Sequence, residues 1–423
     1  MLDGTGQSLV VSVHVRCLKI GGPKFDLCGS NCLQGRVRRG RFSWAATLAL
    51  LALGWAFART PRVVGRTRAA PNGQAVPRSS APRSTRRPEQ APPAAPPSAV
   101  EPGSGASPRD VFLSAASCAK IVGSGERLVR AVSTARFASW NLHWFPDGEA
   151  GQREAGADLS WLACALTWLD ADVIAVQEVK QSPHAEQALA TVLAELNRWT
   201  KARYVARFDD CGGRVPQHVG LIWNAARVAA TELETVAALN PHGSACESQL
   251  RPGLAAHFKF QGGLDLETVS AHFKSMADRR GFTLRGGSFA AIPGVVRGLT
   301  SQAHDADFLL LGDLNTMGCD ECAPAVSPAD EVRAVDQQLS AAGLRLVPAD
   351  AAGSELYAGH LTLLDHAVVS AAMRELSPGA KSHLVGACAA GAAALTHRAA
   401  KDIARSLSDH CPLVLDLTDR DLD

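Results

Sequence analysis

The stretch DFLLLGDLNT, Asp307 to Thr316, decides how this chain is read. Four apolar residues, Phe308 to Leu311, run straight into Gly312-Asp313, and Asn315 follows one residue on. A short continuous apolar run closed by turn-forming residues is the pattern of a fully buried strand. Its end presents a carboxylate and an amide where a strand gives way to a loop. Asp and Asn at a strand end are most often only turn-formers. The rest of the chain decides whether these two are more than that.

Other apolar runs end in the same way. RFASWNLHWF brings Asn141 to the end of one, and DADVIAVQEVK brings Glu178 to the end of another. LDLETVSAHFKS closes on His272, Asp365-His366 interrupts LTLLDHAVVS, and Asp409-His410 precedes CPLVLDL. QHVGLIWN and AAHFKF read as further strands. ADLSWLACALTWLDA, Ala185–Trp199 and Ala329–Ala342 have helical spacing, whereas Gly281–Val296, rich in glycine and small residues, reads as a loop-like insertion. Strands alternating with helices, with some strands consecutive, predict a layered α/β domain. In such domains functional groups gather where strand ends and loops converge. The polar residues found there are carboxylates, amides and histidines, without the paired cysteines or histidines of a zinc site. Such an oxygen-rich set suits Mg2+, with Mn2+ or Ca2+ as alternatives.

The segments ASWNLHWF, VIAVQEVK, QHVGLIWN, VSAHFKS, LLLGDLNT, LTLLDHAVVS and SDHCPLVLDL occur in this order between about residues 132 and 418. In this the chain resembles the endonuclease/exonuclease/phosphatase superfamily. That fold is shared by DNase-I-like nucleases, abasic-site endonucleases, neutral sphingomyelinases and inositol-polyphosphate phosphatases. The resemblance implies a four-layer α/β sandwich of two packed mixed β-sheets flanked by helices. It also implies roles for matching residues. Asn141 and Glu178 hold the divalent metal, with Asp409 close to it. Asp313 activates or orients the attacking water, and Asn315 positions that water and contacts the phosphate. His272 contacts a phosphate oxygen, and His410, held by Asp365, is the second catalytic histidine. Arg251 matches a family turn and faces the phosphate, a plain salt bridge being the alternative. Secreted nucleases of the family support the first histidine with a carboxylate near the place of PQHVG. Here Gln217 and His218 stand there instead, and Gln217 is the expected, weaker partner of His272.

These roles make physical sense. A phosphodiester is anionic and repels nucleophiles, so cationic and neutral donors must absorb charge in the transition state. Water needs a base beside it, and Asp313 at a rigid strand end supplies one. A histidine held by a carboxylate has a fixed tautomer and favours its protonated form. Asp365 with His410 therefore reads as a phosphate clamp.

The front of the chain is of another kind. Residues 1–130 hold 19 of the 43 Lys and Arg but only 6 of the 41 Asp and Glu, so the basic charge is concentrated there and the remainder is acidic. After RVRRGR, an uncharged run from Phe42 to Ala58 ends in small-x-small, which fits a signal peptide, or a signal anchor retained in the membrane. The basic segment 1–41 is expected to be untranslated in part. The Pro-, Ala- and Arg-rich stretch 59–110 reads as a disordered linker, and the folded domain is assigned to 111–423. From Cys118 onward there are eight cysteines, an even number that suits an oxidising compartment. A Cys211–Cys246 bridge is expected, and Cys319 with Cys322 reads as a bridge clamping the catalytic loop.

The expected protein is thus a secreted, periplasmic or cell-envelope phosphoester hydrolase. It would be monomeric and would meet the membrane only through residues 42–58. Nucleic acid is the favoured substrate, although an acidic domain does not favour tight nonspecific binding to a phosphate backbone. A lipid or small-molecule phosphodiesterase is the alternative. A catalytically inert binding module is disfavoured because the whole residue set is retained.

Overall fold

Phe308–Asp313 is a strand in which every residue is buried, and the architecture is laid out around it. The computed structural model describes residues 110–148, 156–212, 216–242, 246, 250–303, 305–357, 360–390 and 397–423. The segments assigned above to residues 1–41, the signal or anchor at 42–58 and all but the last residue of the linker lie outside these. Among the described residues no helix is long and apolar enough to cross a membrane.

The strands are β1 (Thr134–Phe145), β2 (Val173–Val179), β3 (Tyr204–Phe208), β4 (His218–Asn224), β5 (Val228–Val236), β6 (Gly253–Phe260) and β7 (Asp265–His272). They continue with β8 (Phe308–Asp313), β9 (Leu344–Leu346), β10 (Glu355–Tyr357), β11 (His360–Thr362), β12 (Asp365–Ser370), β13 (His383–Leu384) and β14 (Leu413–Thr418). The helices are α1 (Ala115–Gly123), α2 (Leu159–Leu169), α3 (Pro183–Thr200), α4 (Arg279–Ala303), α5 (Pro328–Ser340) and α6 (His397–Ser406).

One sheet runs β13-β14-β1-β2-β4-β3 and the other β5-β6-β7-β8-β12-β9, while β10 and β11 form a separate hairpin. Each sheet is mixed, with one parallel pair, β1–β2 in the first and β7–β8 in the second. Alternate residues of both sheets, such as Phe137, Leu221, Phe258, Leu309 and Leu415, meet in a shared apolar layer. The opposite face of the first sheet packs on α1, α2 and α3 through residues such as Cys118, Leu166 and Val192. That of the second packs on α4 and α5 through Phe289, Ile292 and Leu339. The result is the four-layer α/β sandwich expected from the resemblance.

The helices start where their sequences provide caps. Asp158, Ser182 and Ser327 each accept a backbone N–H of the first turn of α2, α3 and α5. Pro183 and Pro328 then occupy first-turn positions, where proline's missing N–H costs nothing. The loop-like insertion expected at Gly281–Val296 is instead part of α4. Glycines and Pro293 lower its intrinsic helix propensity, but Arg285, Phe289, Ile292 and Leu299 form a buried stripe at helical spacing. Packing of that stripe against the second sheet overrides propensity.

Among the described residues four disulfides are present: Cys118–Cys164, Cys211–Cys246, Cys319–Cys322 and Cys388–Cys411. The two expected pairings are among them.

Candidate active site

Three strand ends meet at one edge of the second sheet. His272 and Asp313 are register partners at the C-terminal ends of parallel β7 and β8. Asp365, the first residue of β12, lies opposite Asp313 on the other side. Gly312 permits this approach: a Cβ there would lie 1.9 Å from the carbonyl oxygen of Ala271, which no side chain tolerates. Just past β8, Asn315 has a φ of 54°, in the left-handed region that Asn adopts more readily than most residues. Its backbone N–H donates to Asp313 Oδ1 at 3.0 Å, and its Nδ2 donates to the carbonyl of Phe273 at 3.2 Å.

The first sheet supplies the other wall. Asn141 Nδ2 donates to Asp313 Oδ2 at 2.9 Å and to Glu178 Oε1 at 3.1 Å. Beyond Asn141 the register of β1 against β2 shifts, with positive φ at His143 and Trp144. This irregularity turns two backbone N–H groups toward the site. His143 donates to Asn141 Oδ1 at 2.9 Å and Trp144 to Glu178 Oε2 at 3.1 Å. His272 Nε2 lies 3.5 Å from Asp313 Oδ2 and 3.7 Å from Glu178 Oε1.

His410 completes the cluster. Its Nδ1 meets Asp365 Oδ2 at 2.8 Å, which leaves Nε2 facing Asp313 Oδ2 at 3.7 Å. Its backbone is fixed as well. Trp140 Nε1 donates to the His410 carbonyl at 2.9 Å, and the His410 N–H donates to Ser408 Oγ at 3.0 Å. Ser408 Oγ in turn donates to the Asn141 carbonyl at 2.6 Å. Trp140 is therefore a structural wall. Tyr204 is a buried core residue, its hydroxyl donating to the Ala171 carbonyl at 2.8 Å.

Burial and neighbouring charge set the protonation of these groups. Burial alone would lower the His410 pKa, but the carboxylates of Asp365, Asp313 and Asp409 outweigh it and hold it well above the usual histidine value. His272 goes the other way: burial, then the positive charges of Arg251 and His410, push it well below. Burial pushes Asp313 up to about 8, with His410 pulling it down and Asp365 and Glu178 adding repulsion. For Asp409 burial acts upward, yet the bond to His143 and the charge of His410 leave its pKa lowered. The site thus pairs a neutral histidine with a cationic one across a carboxyl group whose pKa burial raises.

Ligand atoms of Glu178, His272 and Asp313 lie within 4.8 Å of one another. Two carboxylate oxygens and one imidazole nitrogen at this spacing, with Glu178 and Asp313 repelling each other, fit a divalent cation.

Asn141, Glu178, His272, Asp313, Asn315, Asp365 and His410 are all brought into this one cluster. Asp409 stands beside it, paired with His143 Nδ1 at 2.7 Å, and its Oδ1 is buried without a partner among the described residues. Arg251 lies behind His272. Its guanidinium donates to Gln217 Oε1 at 2.6 Å and to the carbonyls of His272 and Phe273 at 3.4 and 3.3 Å. Gln217 is therefore not the expected partner of His272. It is held by Arg251, and His272 Nδ1 has no partner among the described residues. The acid near PQHVG is Asp209, but it bonds His218 Nδ1 at 2.9 Å.

Sequence reasoning missed His143, Asp209 and Glu355. His143 sits two residues after Asn141, so the motif itself was the available signal. Glu355, the bridge partner of His410, has its pKa raised by burial; it belongs to no recognisable pattern.

No protein-family model matches this chain, and no curated protein does. Among solved structures it is similar to an endonuclease/exonuclease/phosphatase family protein from Bacteroides thetaiotaomicron. The identity is 16%, covering 68% of this chain and 98% of that one, with a TM-score of 0.45. It is similar to the human nocturnin catalytic domain at 15% identity, over 68% of this chain and 95% of that one, with a TM-score of 0.42. A Bacteroides thetaiotaomicron mannosyl-6-phosphatase has 16% identity over 67% of this chain and 99% of that one, with a TM-score of 0.44.

Proposed function

We propose that this chain is a divalent-metal-dependent phosphoester hydrolase that acts outside the cytoplasm, with the phosphodiester of a nucleic acid as its favoured substrate. The observation that carries the reading is the surroundings of Asp313. A buried carboxyl group receives Asn141 and the Asn315 backbone on its two oxygens, and both histidines stand just beyond hydrogen-bond distance. Gaps of 3.5 to 3.7 Å leave each Nε2 available to a phosphoryl group.

In this reading Asp313 accepts at Oδ2 the proton of the attacking water, whose oxygen bonds phosphorus as the ester P–O bond opposite breaks; the alkoxide leaves and takes a proton from solvent water. Such a base must be ionised, and a cation beside Asp313 would oppose the upward push of burial on its pKa. His410, cationic and anchored by Asp365, donates from Nε2 to a phosphoryl oxygen on which charge develops. His272, neutral, donates from Nε2 to a second one. Asn141 and Asn315 fix the orientation of Asp313 and so the line of attack. Glu178 and Asp313 would hold the cation; Asn141, whose Nδ2 donates to both carboxylates and whose Oδ1 accepts the His143 N–H, orders these ligands rather than joining them, and Asp409 would support that arrangement through His143. When bound, a divalent cation supplies charge neutralisation at the phosphoryl oxygens. The four disulfides support an oxidising compartment.

The test is the purified chain with plasmid DNA and with bis-nitrophenyl phosphate, each with Mg2+ and with EDTA, beside Asp313→Ala. Mg2+-dependent cleavage of both, abolished by EDTA and by the substitution, is expected. Cleavage of the small ester alone would move the substrate to a smaller ester or lipid. Indifference to chelation, or full activity in Asp313→Ala, would overturn the mechanism.

A further inference from the structure

Six tryptophans lie among the described residues, and all but one are packed into the apolar layers. Trp140, Trp161, Trp168 and Trp199 belong to the layer between the first sheet and its helices, and Trp223 to the layer between the sheets. Trp144 belongs to none of the apolar layers. Every residue of β1 from Ala135 to Leu142 is buried, but His143 and Trp144 are only partly so. Both have positive φ, 48° and 54°. That backbone state is costly for a bulky residue and persists only where the surroundings impose it. An indole left out of the core on a strained, half-exposed lip is not explained by packing.

Its place gives it another use. The Trp144 backbone N–H donates to Glu178 Oε2 at 3.1 Å, so the residue stands beside the carboxylates of the catalytic cluster. The lip that carries it is fixed. The Trp144 carbonyl accepts the Gly148 N–H at 2.9 Å, and the Phe145 carbonyl accepts the Lys180 N–H at 3.0 Å. Lys180 Nζ donates to Asp147 Oδ1 and to the Gly148 carbonyl. The same ammonium lies 5.9 Å from the centroid of the Trp144 ring, a distance at which a cation attracts the aromatic face and restrains it. A rigid, partly exposed aromatic surface next to a phosphoryl site suits a planar group carried by the substrate. Stacking there gains contact area at little cost in conformational entropy.

We propose that Trp144 is a stacking subsite of the active site, which takes the nucleobase of a nucleoside flanking the scissile phosphate, and that Lys180 holds the indole in place. The inference rests on the hydrolase reading above and narrows its substrate class to phosphodiesters of nucleosides. Every nucleobase has a π-face, so such a platform accepts any base without reading sequence. It supplies an attraction that an acidic domain does not supply through charge. Lys180 acts on the substrate through the ring and is a positioning residue.

The experiment gives the full chain a short single-stranded oligodeoxyadenylate, the same sugar–phosphate strand with tetrahydrofuran in place of every base, and bis-nitrophenyl phosphate. The two strands carry the same phosphates and differ only in the bases. The parent should favour the base-bearing strand by about tenfold or more in kcat/KM. Trp144→Ala should remove most of that preference, chiefly through KM, and Trp144→Phe, which keeps an aromatic face, should retain most of it. A merely structural role would lower both strands by the same factor and leave their ratio unmoved, and that result would overturn the subsite. So would a parent that cleaves bis-nitrophenyl phosphate but does not favour the base-bearing strand, although the hydrolase reading would then stand. A parent inactive on every one of these substrates would overturn that reading, and the subsite with it.

Discussion

Replacing Asp365 with Asn removes one charge and almost no volume, so it isolates what the carboxylate does for His410. At 2.8 Å and an effective dielectric constant of about 20, the gross Coulomb attraction is roughly 6 kcal/mol. Desolvation offsets part of this, and removing one partner of a buried pair typically costs about 3–5 kcal/mol. At 1.36 kcal/mol per pKa unit, the lower figure moves the His410 pKa down by about two units. Burial then dominates, and the imidazole becomes neutral at pH 7. Hydrolysis of bis-nitrophenyl phosphate should fall by about 10²–10⁴-fold. The alkaline limb of kcat/KM should move toward acid by about two units. Stability follows the same sign. Because the folded pKa of His410 is raised, its contribution is fully present below the unfolded value, near 6.5. It is lost as pH rises through the folded value. Chemical denaturation between about pH 6 and 9 should therefore show a slope in the parent that flattens in Asp365→Asn. Full activity with an unmoved alkaline limb would refute the reasoning, because the charge of Asp365 would then not set the state of His410.

Two further outcomes test the scaffold under the site. Arg285 is fully buried, pairs with Glu331 through two 3.0 Å contacts, and donates to the carbonyls of Lys274, Met276 and Gly318. It thereby joins the loops that follow His272 and Asp313. Glu331→Gln should cost about 3–5 kcal/mol in urea unfolding and reduce turnover, and unchanged stability would show that the pair does not hold these loops. The Cys118–Cys164 bridge spans 46 residues, so Cys118→Ala with Cys164→Ala should cost about 4 kcal/mol by loop entropy, and should leave KM unchanged because α1 and α2 lie outside the catalytic cluster.

Much of the site was legible because its residues sit where a local pattern changes. Asn141, Glu178, His272 and Asp313 each close an apolar run, and period and run length report burial directly. The partners were less legible. That Arg251 claims Gln217 and leaves His272 Nδ1 without a partner depends on β6, β7 and the approach to β4 meeting in space. Glu355 reaches His410 through a bridge between segments 55 residues apart in number, and no spacing rule encodes it.

The sequence by itself determined the buried strands, the capped starts of α2, α3 and α5, and the polar residues at the strand ends. Each of these follows from the chain's near neighbours: alternation and apolar runs decide which residues seek burial, and Ser, Asp and Pro decide where backbone donors are satisfied. The tertiary structure alone decided that α4 is a helix despite its glycines. It decided too which strand ends face each other. Local propensity carries no information about which distant surface a segment will pack on, and that packing fixes both the helix and the fields that set the charge on Asp313, His272 and His410.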